Sequence, residues 1–247
     1  MSNNHKNFRD DINGLRAWAV LAVVFYHFGV YGFTGGFIGV DIFFVISGFL
    51  MTGIVIESLE NKKGKKFSVL AFYMARARRI LPALIVLCAV LLAIGWFALP
   101  SPDYKVLGSH SVGGISFISN IQFWREAGYF DAESHDKWLL HTWSLAVEWQ
   151  FYIILPLILA AAWHYRPNRK FITTTLTIGL IASLATSIIL TPLQPSAAFY
   201  LLPTRAWEML AGGLGCLLIN NYKFSKFSRV ASETLGFILI IGSILLF

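Results

Sequence analysis

Apolar runs of roughly twenty residues recur along this chain, and their length constrains the fold more than any other feature. A hydrocarbon core about 30 Å thick is crossed by about 20 helical residues, and every backbone N–H and C=O inside it must be bonded within the protein. Runs of this length without strand alternation specify helices rather than a barrel. The scarcity of charge agrees: 13% of the residues are charged, against about 25% in soluble domains. The fold class expected is all-α, a polytopic transmembrane bundle of about six full spans plus a truncated seventh. The spans are expected at residues 15–30, 37–56, 80–99, 144–163, 171–190 and 200–219, with the last beginning near 235. The whole of 1–247 reads as one membrane-embedded domain.

The formal net charge of +7 comes from short basic clusters between these runs, so they read as topology signals rather than as a nucleic-acid surface. Lys62, Lys63, Lys65, Lys66, Arg76, Arg78 and Arg79 form one cluster; Arg166, Arg169 and Lys170 a second; Lys223, Lys226 and Arg229 a third. All are expected on the cytoplasmic side, with the N-terminus. That scheme requires residues 100–142 to remain on the outer side, with 109–123 re-entrant or interfacial. The polar start "MSNNHKNFRDDINGLR" shows no cleavage pattern, so a retained first span is expected rather than a signal peptide. Cys88 and Cys216 lie in apolar runs, where a thiol behaves as a small hydrophobe, and no disulfide or metal site is expected.

Ionisable residues inside the runs need an explanation, because each costs a few kcal/mol to insert and normally faces a cavity or a partner. Arg16 and His27 are eleven residues apart, which puts them on one helix face about 16 Å apart along the axis. They either line a polar stripe, or are a snorkelling arginine and a histidine satisfied by its neighbours. Arg76 and Arg79 are topology anchors or, if their segment is helical, an i, i+3 guanidinium fork suited to phosphate oxygens. Glu148 sits about one turn inside an apolar span, with His141 and Ser144 at its outer entrance. Such a carboxyl stays protonated, pairs with a cation, or bonds a neighbouring helix. Arg205 and Glu208, at i, i+3, pair with each other or contact substrate. Asp41 pairs across the bundle or lies at the interface. Gly35, Gly36, Gly39, Ser47 and Gly48 suit close helix approach.

Five segments in this order, "NGLRAWAVLAVVFYHF", "GGFIGVDIFFVISGFLMT", "FYMARARRILPAL", "LLHTWSLAVEWQFYIILPL" and "TRAWEMLAGGLG", resemble the bacterial integral-membrane O-acyltransferases called acyltransferase family 3. The resemblance extends from Arg9 to Gly215. It implies an inner-membrane enzyme that moves an acyl group, usually acetyl, from cytoplasmic acyl-CoA to a hydroxyl of an envelope carbohydrate such as lipopolysaccharide O-antigen. The expected partners are therefore acyl-CoA, the carbohydrate acceptor and membrane lipid, with no nucleic acid. Acetyl-CoA is a donor substrate and no cofactor is expected to stay bound. Carried over by position, the family's first-span arginine and histidine fall on Arg16 and His27, its paired loop arginines on Arg76 and Arg79, and the glutamate after its tryptophan-serine-leucine motif on Glu148; His27 and Glu148 are then expected to be catalytic, and Arg16, Arg76 and Arg79 to bind acyl-CoA. His27 is expected to act as general base on the acceptor hydroxyl, or to carry the acyl group, with Glu148 orienting it or stabilising its imidazolium. Asp41, His141, Ser144, Arg205 and Glu208 remain divided between acceptor-side and structural roles. Family members carry further spans and a later motif like "YLYLWHWP", so this chain is expected to lack C-terminal spans, which leaves its activity alone open. The competing readings are a transporter or flippase, for which no inverted repeat is visible, and an inactive remnant.

Overall fold

The computed structural model describes residues 10–60, 67–127, 137–221 and 225–246. The stretch 61–66, Lys223 and residues 128–136, on which part of the expected topology rests, lie outside the described residues. Among the described residues the regular structure is all helical: α1 Asp10–His27, α2 Ile38–Glu60, α3 Val69–Ala98, α4 Ser101–Ile115, α5 Ser119–Glu126, α6 Thr142–Tyr165, α7 Arg169–Leu193, α8 Pro195–Tyr200, α9 Leu202–Asn221 and α10 Lys226–Leu246. Helices α2, α3, α6, α7 and α10 are each long and apolar enough to cross a membrane. Two helices that carry intramembrane charges, α1 with Arg16 and α9 with Arg205 and Glu208, pack against them, α1 on α2 and α9 between α2 and α7. The chain is a multi-pass helical membrane protein.

The two largest boundary differences have one reason: the apolar run marks the hydrocarbon, whereas the helix runs past it. α3 starts at Val69 instead of near residue 80, because Ser68 caps it, its Oγ accepting from the Ala71 N–H at 3.2 Å. Arg76, Arg78 and Arg79 therefore stand on a helix and not in a loop. α10 starts at Lys226 instead of near 235 and runs for 21 residues, long and apolar enough to cross a membrane. The expected outer excursion folds as α4 and α5, of 15 and 8 residues, which fall short of a crossing. Between them Phe117 takes a left-handed conformation, φ 57°, and its ring stacks on Trp149 with centroids 4.4 Å apart.

α2 and α9 approach each other closely, and glycine permits it. A Cβ on Gly48 would collide with the Met209 carbonyl, and one on Gly212 with the Val45 carbonyl. Without apolar surface to remove from water, helices in lipid associate through such close packing. Gly48→Val is expected to destabilise the detergent-solubilised protein by about 1–3 kcal/mol. Gly215→Val, where a Cβ meets nothing within 4 Å, is expected to leave it unchanged. Thermal unfolding followed by size-exclusion chromatography checks this, and equal melting of the two variants would remove the close-approach account.

Candidate active site

α1 ends at His27, and α6 begins just after His141; the two rings meet edge to face with centroids 4.6 Å apart. His27 Nδ1 lies 2.8 Å from the Val23 carbonyl oxygen. A carbonyl only accepts, so Nδ1 carries the proton and, in the neutral ring, Nε2 keeps its lone pair. The His27 side chain is exposed at the end of the helix, which leaves that lone pair accessible. Desolvation beside the helix ends and, second, the neighbouring His27 hold His141 below the usual histidine pKa. His141 is thus neutral near pH 7 and can donate or accept a hydrogen bond without bringing a second charge to His27. Ser144 Oγ donates to the His141 carbonyl at 3.2 Å, closing the first turn of α6.

Glu148 is not the neighbour of His27. It lies seven residues beyond His141 on α6, about 10 Å deeper along the axis, too far for a carboxylate to orient that imidazole. Its carboxylate accepts from Ser47 Oγ of α2 and pairs with the Tyr152 hydroxyl one turn along α6. Arg16 of α1 and Arg79 of α3 act on it electrostatically, and Arg76 acts on Tyr152. Arg16, Arg76 and Arg79 thus converge around the Glu148–Tyr152 pair. Three neighbouring guanidiniums around that pair leave an excess of positive charge, and the buried Arg76 Nε has no hydrogen-bond partner among the described residues. Such a group is ready for anionic oxygens. Ser47 and Tyr152 were not singled out as site residues in the sequence. Tyr152, at i+4 from Glu148, was visible in the helical spacing, whereas Ser47 reads as one more small packing residue.

The third cluster joins residues expected to be either paired or acceptor-facing. Arg205 on α9 lies 2.9 Å from Asp41 of α2 and 2.8 Å from Glu208, one turn along its own helix. Its guanidinium also lies 5.6–5.7 Å from the ring centres of Phe44, Trp143 and Phe199. The cluster is at the His27 end of the bundle, since Trp143 follows His141 by two residues. Gln150 and Asn120 secure the surrounding elements: Gln150 donates to Asn120 Oδ1 at 2.8 Å and to the Phe117 carbonyl at 3.0 Å, while Asn120 donates to the Tyr200 carbonyl at 3.1 Å. This network ties α5, α6 and α8 together. It was not read from the sequence, where asparagine and glutamine carry no periodic signal.

The polar groups therefore form two levels in one bundle, an arginine-rich level around Glu148 and a histidine and Arg205 level near the helix ends. Comparison with known proteins gives this arrangement a family. The acyltransferase-3 model, described as an acyltransferase domain, matches residues 9–247. Among curated proteins, the chain is 34% identical over 228 residues to the peptidoglycan O-acetyltransferase OatA of Listeria monocytogenes, covering 91% of this chain and 36% of that protein. It is 33% identical over 212 residues to the O-acetyltransferase OatA of Staphylococcus aureus, covering 84% of this chain and 34% of that protein. The chain thus spans about a third of the length of these curated relatives. No solved structure matches it. With its five ordered motifs, its helical bundle and a family match over almost its whole length, the chain belongs to acyltransferase family 3.

Proposed function

We propose that this protein is a membrane O-acyltransferase that takes an acetyl group from acetyl-CoA on the cytoplasmic face and transfers it to a hydroxyl of an envelope carbohydrate on the outer face. The observation that carries the reading is the separation of the two polar levels. Arg16, Arg76 and Arg79 offer cationic oxygen-binding groups at one level, and His27 offers an accessible base at the other. CoA carries phosphates, and a guanidinium fork binds phosphate oxygens in a planar, bidentate way. The α1 face from Arg16 to His27, about 16 Å long, provides a path along which the pantetheine arm brings the thioester to the base.

At His27 the acceptor hydroxyl donates its proton to Nε2 as the hydroxyl oxygen forms the ester bond with the thioester carbonyl carbon. The C–S bond then breaks, and the CoA thiolate leaves and takes up the proton. Val23 fixes the tautomer, and His141 lines the ring. Glu148, with Ser47 and Tyr152, holds the donor-side arginines in position instead of serving His27. Peptidoglycan is the preferred acceptor over lipopolysaccharide O-antigen, because the Listeria relative is named for it. Positive charge on the α2–α3 and α6–α7 connections supports a cytoplasmic Arg76 end and an inner-membrane location. The test is mass analysis of envelope glycans with and without the gene. Loss of an O-acetyl increment from muropeptides supports the reading, and identical glycan profiles contradict it.

A further inference from the structure

Resting on the proposed acyl transfer, we infer that Arg205, Asp41 and Phe199, backed by the buried Trp143, form an acceptor subsite that takes a neutral, hydroxyl- and amide-bearing pyranoside. Four observations carry it. Phe199 is 45% exposed, and its ring lies against Trp143 with centroids 4.6 Å apart, an aromatic platform at the end of the bundle where His27 sits. Asp41 and Arg205 are partly exposed beside it, at 34% and 17%. Glu208 is 1% exposed, and its Oε2 has no hydrogen-bond partner among the described residues, nor has the buried Arg205 Nε. Finally, the Asp41 and Glu208 carboxyl groups are close enough to interact and share one guanidinium.

Sugar rings present an apolar C–H face and a polar rim, which call for an aromatic platform flanked by planar hydrogen-bonding side chains. Phe199 supplies the platform, Asp41 accepts from hydroxyls, and Arg205 donates to hydroxyl or amide oxygens. Glu208 and the rings of Phe44 and Trp143 hold the guanidinium in place. The sign of the charge selects within carbohydrates. Two carboxyls around one guanidinium leave no positive excess, so an anionic sugar finds no free counter-charge here, in contrast to the arginine-rich level. A hexosamine with an uncharged acetamido group fits both the donors and the acceptors.

The experiment measures binding of two labelled tetrasaccharides, neutral tetra-N-acetylchitotetraose and anionic tetragalacturonate, to the purified full chain in detergent, alongside acetyl transfer. The neutral probe is expected to bind, the anionic one to bind at least tenfold more weakly, and Phe199→Ala to weaken the neutral probe roughly tenfold. Phe199→Trp should restore binding, and Asp41→Asn should weaken it in the same direction, with the Michaelis constant for acetyl-CoA unchanged in all three. Equal binding of both probes, no binding of the neutral one, or a Phe199→Ala variant that binds like wild type overturns the subsite. Neutral binding that depends on Phe199 in a protein that transfers no acetyl overturns the proposed function and leaves the subsite standing.

Discussion

Replacing His27 with alanine is expected to lower acetyl transfer by about 10²- to 10⁴-fold at matched membrane expression, the range a positioned general base contributes. A sugar hydroxyl is a poor nucleophile near pH 7, and the accessible imidazole at this end of the bundle with its tautomer fixed, through Nδ1 and Val23 at 2.8 Å, is His27. His141→Ala removes a neighbour and not the base, so its loss is expected to be the smaller of the two. The measurement is transfer of labelled acetyl from acetyl-CoA to glycan. Near wild-type turnover by His27→Ala would show that the ring only lines the site. If acetyl-CoA without acceptor leaves label on wild-type protein and none on His27→Ala, His27 carries the acyl group covalently instead.

The donor side predicts a different kinetic signature. Arg76→Ala and Arg79→Ala are each expected to raise the Michaelis constant for acetyl-CoA by about 10- to 100-fold, since a hydrogen bond to a charged group is worth about 1.5–3 kcal/mol. Turnover at saturating donor should change much less, because the phosphates do not take part in the chemical step. Lysine at either position should rescue poorly, lacking the planar fork. Arg78 provides the internal control: it lies on the same helix two residues from Arg76 and on another face, so Arg78→Ala should leave the donor constant near wild type. Equal effects at all three positions would return the arginines to the role of general charge anchors.

How much of this was legible in the sequence depended on whether the signal was local. The apolar runs gave the helical bundle, and the polarity of residues 109–123 marked a segment that does not cross as one helix. The starts of α3 and α10 were missed because hydropathy measures the solvent a helix meets, while Ser68 and the charged turns extend the helix into water. Within the site, Arg76 with Arg79 and Arg205 with Glu208 follow from i, i+3 spacing on one helix. The pairing of Glu148 was misread because spacing within α6 says nothing about the register of α6 against α1 and α2. That register delivers Ser47 to Glu148 and His141 to His27. The Phe199 platform was hidden for the same reason: aromatic residues in an apolar span look like packing until a partly exposed guanidinium is found beside them.

The central claim is that donor and acceptor meet from opposite faces of the membrane, and sided vesicles test it most directly. Reconstituted vesicles of known orientation receive labelled acetyl-CoA on one face and peptidoglycan fragments on the other. The account predicts acetylated fragments when the donor is on the face bearing Arg76 and the acceptor on the face bearing His27, and none when the two are exchanged. Acetylation that requires both substrates on the same face would contradict it.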